Sequence, residues 1–335
     1  MIVPTRCNLP AAALSACLIA WTVNLPAHAL DGEQIDRLLE QGLYLEARAL
    51  VDETEAAGRA EALAFYRARV AIKLGDLHAA LEALAPFRGR DDLPARLHRV
   101  MGQARGLKAQ RGSKLAAAGE LSGIRQHFEA AVAKDPDNQS ARLALVKFNL
   151  NVPGFFGGSE REARQHAEAL AASDPARALA AEAIIAADDD RLDAAMERVE
   201  RALERDPKLR LARSLEAEFA LERGAPERAL AALGTLLEEA PAHPDYNRRF
   251  AAIAAEHGLR VERGIEAARR YLEYAEARAE LGLDGGNRAK GYYRLGRLCE
   301  RSGDRAAALE AYRQALEIDP ELDAARDALP ELTPA

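Results

Sequence analysis

Between Ala289 and Leu322 the apolar and small residues fall on two helical stripes. Tyr292, Leu295, Gly296 and Cys299 share one face of a first segment, and Ala308, Tyr312 and Ala315 share one face of a second. Spacings of three and four residues predict two amphipathic helices. Gly303-Asp304 supplies the turn between them, and Pro320, which lacks an N–H and restricts the residue before it, ends the second. Gly296 and Ala308 are small where the helices must cross closely, with Tyr292 and Tyr312 filling the space between. Neither helix can bury its stripe alone. Each unit of about 34 residues therefore needs a neighbour, which predicts an all-α solenoid.

The punctuation recurs upstream. Asp135-Pro136, Asp174-Pro175, Asp206-Pro207, Ala240-Pro241 and Asp319-Pro320 are separated by 39, 32, 34 and 79 residues. The last gap is two units plus an excess that a long second helix over Val261 to Leu281 absorbs. Gly75-Asp76 with Ala80 and Leu84 marks an earlier unit, and Gly42 with Ala47 a divergent first one. The expectation is about eight helical hairpins: divergent ones over residues 30–120, the array proper over 121–335, and a capping helix over 321–329.

Two stretches depart from a plain array. Pro94 to Ala118 is too long for one first helix and carries a small, basic set: Gly102, Gly106, Lys108, Arg111, Gly112 and Ser113. Residues 151–159 read NVPGFFGGS and fall between the two helices of their unit, lengthening it to 39 residues. Two adjacent aromatics on a glycine-flanked loop cannot both face the same neighbour, so Phe155 and Phe156 are candidates for contact with a partner. The preferred expectation is nevertheless that one or both fold back between units.

The last unit resembles the tetratricopeptide repeat (TPR) family, through Tyr292, Leu295-Gly296, Ala308, Tyr312, Ala315 and Pro320, with Cys299 where the family usually has an aromatic. The resemblance extends over roughly residues 33–329 and is strongest from 121 onward. The PGxxGGS insert is similar to one in a subgroup of bacterial exported TPR proteins, a likeness that carries no activity with it. In TPR arrays the first helices line a concave face. Carried onto this chain, the resemblance places Lys290, Tyr293, Arg297 and Glu300 there in the last unit. Ser140, Leu143, Lys147 and Leu150 take those places in the insert-bearing unit, and Arg177, Ala180, Ile184 and Ala187 in the next. Such a groove, part apolar and part basic, suits a peptide segment. Lys147, Phe155, Phe156, Arg177, Lys290, Tyr293 and Arg297 are the candidate partner-binding residues. Lys290 and Arg294 also match two basic positions of the carboxylate clamp of chaperone-binding TPR domains, but Ser214 and Glu218 stand where its other members belong.

The first 29 residues differ in kind. Arg6 is their only charge, an apolar stretch runs from Leu9 to Val23, and Ala27-His28-Ala29 fits a cleavage site, the plan of a secretory signal peptide. Leu14-Ser15-Ala16-Cys17 resembles a lipobox, although Leu18 to Trp21 continue the apolar run that such a box usually closes. A periplasmic or secreted protein is expected, with an outer-membrane lipoprotein acylated at Cys17 as the alternative. Without Arg6, 45 basic against 53 acidic residues leave a balance of −8. Interspersed acidic charge gives no footprint for nucleic acid. Cys299 is the one cysteine left, so no disulfide forms within the mature chain.

No catalytic or metal-binding constellation is legible, and no cofactor is expected. The histidines form no HExxH pair. His127 and His166, on second helices of adjacent units, could approach each other, but a half-buried structural role is preferred. Asp188-Asp189-Asp190 reads as an inter-helix turn and N-cap rather than a calcium site. Cys299 reads as a core hydrophobe. Ser159 to Glu162 reads as a capping box, Ser159 accepting from the backbone and Glu162 reaching back. The function expected is a non-catalytic scaffold for a protein or peptide partner in the bacterial envelope. The alternative is a small-ligand accessory of a transport system, with the Phe155-Phe156 loop closing a pocket.

Overall fold

A computed structural model describes residues 31–54, 60–283 and 287–332. The leader expected over 1–29, Cys17 included, lies outside them. Seventeen α-helices of the described residues pair in chain order. The first four hairpins are α1 (Gly32–Gln41) with α2 (Tyr44–Asp52), α3 (Ala60–Leu74) with α4 (Leu77–Leu84), α5 (Ala95–Arg111) with α6 (Lys114–Lys134), and α7 (Gln139–Asn151) with α8 (Glu160–Leu170). Next come α9 (Pro175–Asp188) with α10 (Leu192–Arg205), and α11 (Arg210–Glu222) with α12 (Pro226–Glu239). The last two are α13 (Pro244–His257) with α14 (Val261–Glu280), and α15 (Asn287–Arg301) with α16 (Arg305–Ile318). A single helix, α17 (Asp323–Leu332), covers the end and buries Ala325 in the cluster around Tyr312. This is an all-α solenoid of eight TPR-type hairpins with a cap, as the stripes predict.

Local chemistry sets the helix starts. Asp76, Asn138, Ser159, Asp174 and Asp304 each accept a hydrogen bond from the backbone N–H three residues on, a cap worth about 1 kcal/mol. The hairpins pack by pairing small residues with large ones. A Cβ on Gly296 would lie 2.6 Å from the buried Tyr312 ring, so α15 and α16 cross as closely as the sequence requires. The long α14 is the extended second helix expected over 261–281. Pro94 to Ala118 resolves into two elements, because Gly112-Ser113 turns the chain and Ser113 caps α6.

The proline spacing misleads at one place. Pro136, Pro207, Pro241 and Pro320 follow the ends of second helices, but Pro175 is the first residue of α9. Proline is favoured there, since its missing N–H would have no partner anyway. Measured from first-helix starts, the units at residues 139, 175, 210 and 244 are 36, 35 and 34 residues apart. The insert therefore lengthens its unit far less than 39 suggests. A short α8 of 11 residues offsets it, where α10, α12 and α16 have 14.

The array does not stay open. The inter-helix turn of the first hairpin meets the starts of α11 and α13, on the far side of the chain, and that of the second faces Arg278 of α14. Arg210 Nη1 donates to the Glu40 carbonyl at 2.8 Å. The Tyr44 hydroxyl lies 3.0 Å from His243 Nε2, across 199 residues of sequence.

Candidate functional site

The structure spreads the predicted inner-face residues along separate first helices. Lys290, Tyr293 and Arg297 share α15, Lys147 lies on α7 and Arg177 on α9. Lys147 and Lys290 are exposed, with side chains free to meet a partner. Tyr293 is half-buried, its ring 5.9 Å from that of Tyr312. Arg177 is committed locally: its Nε donates to Asp174 at 2.9 Å, while Asp174 also caps α9. Arg294, the clamp-like position, is held below the usual arginine range by burial and by Arg248.

The insert is built, not loose. Arg125 on α6 donates to the Gly157 carbonyl at 2.6 Å and to Glu162 at 2.7 Å, and the Ser159 N–H donates to the Asn149 carbonyl. A Cβ on Gly158 would lie 1.6 Å from the Val152 carbonyl oxygen, so only glycine fits there. Ser159 does cap α8 through the Glu162 N–H. Glu162 does not reach back, because its carboxylate is taken by Arg125. The expectation that one or both phenylalanines fold away is overturned. Phe155 is 83% exposed and Phe156 47%, their rings 4.4 Å apart, because a short 3₁₀ turn over Gly154–Phe156 carries both outward.

The remaining polar candidates resolve structurally. His127 meets His98 of its own hairpin, Nδ1 to Nδ1 at 3.2 Å, and is pushed down to about 4 chiefly by burial. Asp190 takes a left-handed turn conformation (φ 57°), and Asp189 pairs with Arg164 and Arg191. The residue preceding α10 is Arg191, which gives no side-chain cap, so the aspartates form the turn but not the cap. Cys299 is buried, its thiol pushed up by burial. Among the described residues no group of three or more His, Cys, Asp or Glu could hold a metal ion, and no helix is long and apolar enough to cross a membrane.

What sequence reasoning missed is the seam that closes the array. Gly42 brings its backbone against that of His243, whose ring stacks on Tyr246 at 3.7 Å and meets the edge of Tyr44. Tyr274 adds its edge to Tyr44. Beside them opens a cleft of about 430 Å³, walled by Tyr44, Tyr246, Tyr271 and Tyr274 and charged by Lys73, Arg248, Arg278 and Asp245. Burial raises the Tyr44 and Tyr274 hydroxyls, the latter to about 12, and lowers Lys73. Burial, with Lys73 nearby, lowers His243 to about 4. A neutral imidazole and an un-ionised phenol thus share the Tyr44–His243 hydrogen bond. The available signal was compositional: four of the chain's eight tyrosines line this one cleft.

These histidines make stability depend on pH. In the unfolded chain imidazoles take up protons near 6.5, whereas folded His127 and His243 wait until about 4. Between those values the unfolded state binds more protons, so acid favours it. The melting temperature should hold above pH 6.5 and fall as pH drops toward 4. A flat profile from pH 7 to 4.5 would contradict the buried, neutral imidazoles.

Residues 289–322 match the sequence model of the tetratricopeptide repeat family. Among solved structures, the chain is similar to the Cut9–Hcn1 hetero-tetramer of the APC/C, with 11% identity over 90% of this chain and 55% of that one (TM-score 0.48). It is also similar to YrrB, described as a TPR protein with an unusual peptide-binding site, with 17% identity over 60% and 96% of the two chains (TM-score 0.43). PilF of Pseudomonas aeruginosa shares 19% identity over 68% and 98% (TM-score 0.43). No curated protein matches the chain.

Proposed function

We propose that this chain is a non-catalytic TPR scaffold that holds a peptide segment of a protein partner along its inner face, in the bacterial cell envelope. The observation that carries this reading is a set of cations on first helices with no carboxylate beside them among the described residues. They are Lys147 on α7, Lys290 and Arg297 on α15, and Arg96 on α5, where Arg99 stands closer to Asp36. Arg96 and Arg99 lie instead over the Phe65 ring, and Arg99 reaches Gln103. In a molecule of net charge −7, such a face attracts acidic groups that the rest of the surface repels. The export motif over residues 1–29 supports the envelope assignment, with acylation at Cys17 as the membrane-bound variant. The cleft at the seam favours a second reading, a solute-binding accessory of a transport system.

Crosslinking in the native envelope tests the first reading. Wild-type protein should capture a discrete partner, and the Lys147→Glu, Arg297→Glu double variant should lose it while melting at the same temperature. Equal capture by both proteins would count against the inner face.

A further inference from the structure

We infer that the cleft at the seam, between α2–α3 on one side and α13–α14 on the other, is a discrete binding site for a short acidic peptide segment. Three independent observations meet there. First, α13, a helix of 14 residues, opens onto the cleft with no side-chain cap at its start. The N-terminal end of a helix presents unpaired N–H groups and the positive end of its dipole, which favours an anion. Second, polar groups around the cleft lack partners. His243 is 8% exposed and its Nδ1 is buried with nothing to bond, as is Arg278 Nε. Lys73 makes no direct ion pair among the described residues, feels Asp245 only from a distance, and rests its ammonium 5.8 Å from the Tyr44 ring centroid. Third, among the described residues the one acid lining the cleft, Asp245, is already paired with Arg248. Lys73 and Arg278 are therefore left without a direct carboxylate partner among the described residues.

The chemistry selects the occupant. Tyrosine rings accept flat or apolar side chains, and the two free cations with the helix start accept carboxylates. About 430 Å³ lies within the range of small-ligand clefts, enough for a short stretch of peptide. Because its walls come from the first two hairpins and the seventh, an occupant also holds the seam closed. The cleft uses the first helices α3 and α13 together with the second helix α14, and Lys147 and Arg297 do not line it. The inference rests on the peptide-holding reading only for the class of ligand.

Fluorescence anisotropy with the full chain tests it. The probe is a fluorescein-labelled pentapeptide, Glu-Leu-Glu-Phe-Glu, with Lys-Leu-Lys-Phe-Lys as its counterpart. The acidic probe should bind with a midpoint below about 1 mM, the weak end of measurable affinity. Lys73→Glu and Arg278→Gln should each weaken it at least tenfold. Hydrogen exchange should slow around Tyr44 and His243 when it binds. No binding of the acidic probe, equal binding of the basic one, or Lys73→Glu matching wild type would each overturn the site. Displacement of the probe by free glutamate at equal concentration would overturn the peptide assignment. Partner capture that survives Lys73→Glu but fails in the Lys147 and Arg297 variant would leave the inner-face reading standing and locate it away from the cleft.

Discussion

Phe250→Ala should lower stability by about 3–5 kcal/mol, the usual loss for a buried phenylalanine truncated to alanine. Phe250 is fully buried on α13, in one cluster with Leu230, Leu233 and Leu236 of α12 and Leu298 of α15. Arg263 on α14 lays its guanidinium 5.3 Å from the ring centroid. The ring thus joins the sixth, seventh and eighth hairpins, and its loss leaves a cavity that none can fill without moving the others. In an array stabilised by nearest-neighbour contacts, weakening one interface uncouples the units beyond it. Urea unfolding should show an earlier midpoint and a first phase that includes α13 to α16, as read by hydrogen exchange. Phe250→Leu, which restores most of the volume, should recover most of the loss. A midpoint within the error of wild type for the alanine variant would mean that the cluster does not couple these hairpins.

Gly42→Ala should open the seam. Gly42 ends α1 in a left-handed conformation (φ 81°), its N–H bonded to the Leu38 and Leu39 carbonyls, a helix end that favours glycine by about 1 kcal/mol. The larger effect is steric. A Cβ there would lie 2.3 Å from His243 Cα and 2.9 Å from Pro244 Cδ, both held by the start of α13. Backbone cannot rotate aside as a side-chain tip can, so α1–α2 must move away and the Tyr44–His243 bond is lost with it. Small-angle scattering should report a larger radius of gyration, and exchange should quicken over residues 32–52. Tyr246 belongs to the Phe250 cluster and stacks on His243, so exchange should also quicken at the start of α13, while α15 and α16 should change little. Tyr44→Phe separates the two causes: it removes the hydrogen bond alone, worth about 1 kcal/mol, and should leave the scattering profile nearly closed. An unchanged profile for Gly42→Ala would show that the contact does not persist in solution.

The sequence made the hairpins legible because a hairpin is a local object. Stripe spacing and the Gly75-Asp76 and Gly303-Asp304 junctions each lie within one unit, and each was placed correctly. Unit length went astray at Asp174-Pro175 because the same dipeptide chemistry serves a helix end or a helix start, and only the shortened α8 shows which. The exposure of Phe155 and Phe156 was misjudged for a related reason. Hydrophobicity argued inward, whereas Gly158 and Arg125 fix a backbone path that turns both rings out. The seam could not be read at all. Closure sums small rotations over six hairpins, and no window of sequence contains both Tyr44 and His243.

That closure sets a rule on the length of the chain. An open stack of hairpins can gain or lose a unit and remain a shorter or longer version of itself. Here Gly42 must arrive opposite His243, so inserting or deleting one whole repeat between them would slide the two ends out of register. The number of repeats between the two contacts is then a fixed quantity, as the tooth count is for a gear, and tolerance to repeat duplication should be confined to the stretch beyond α14.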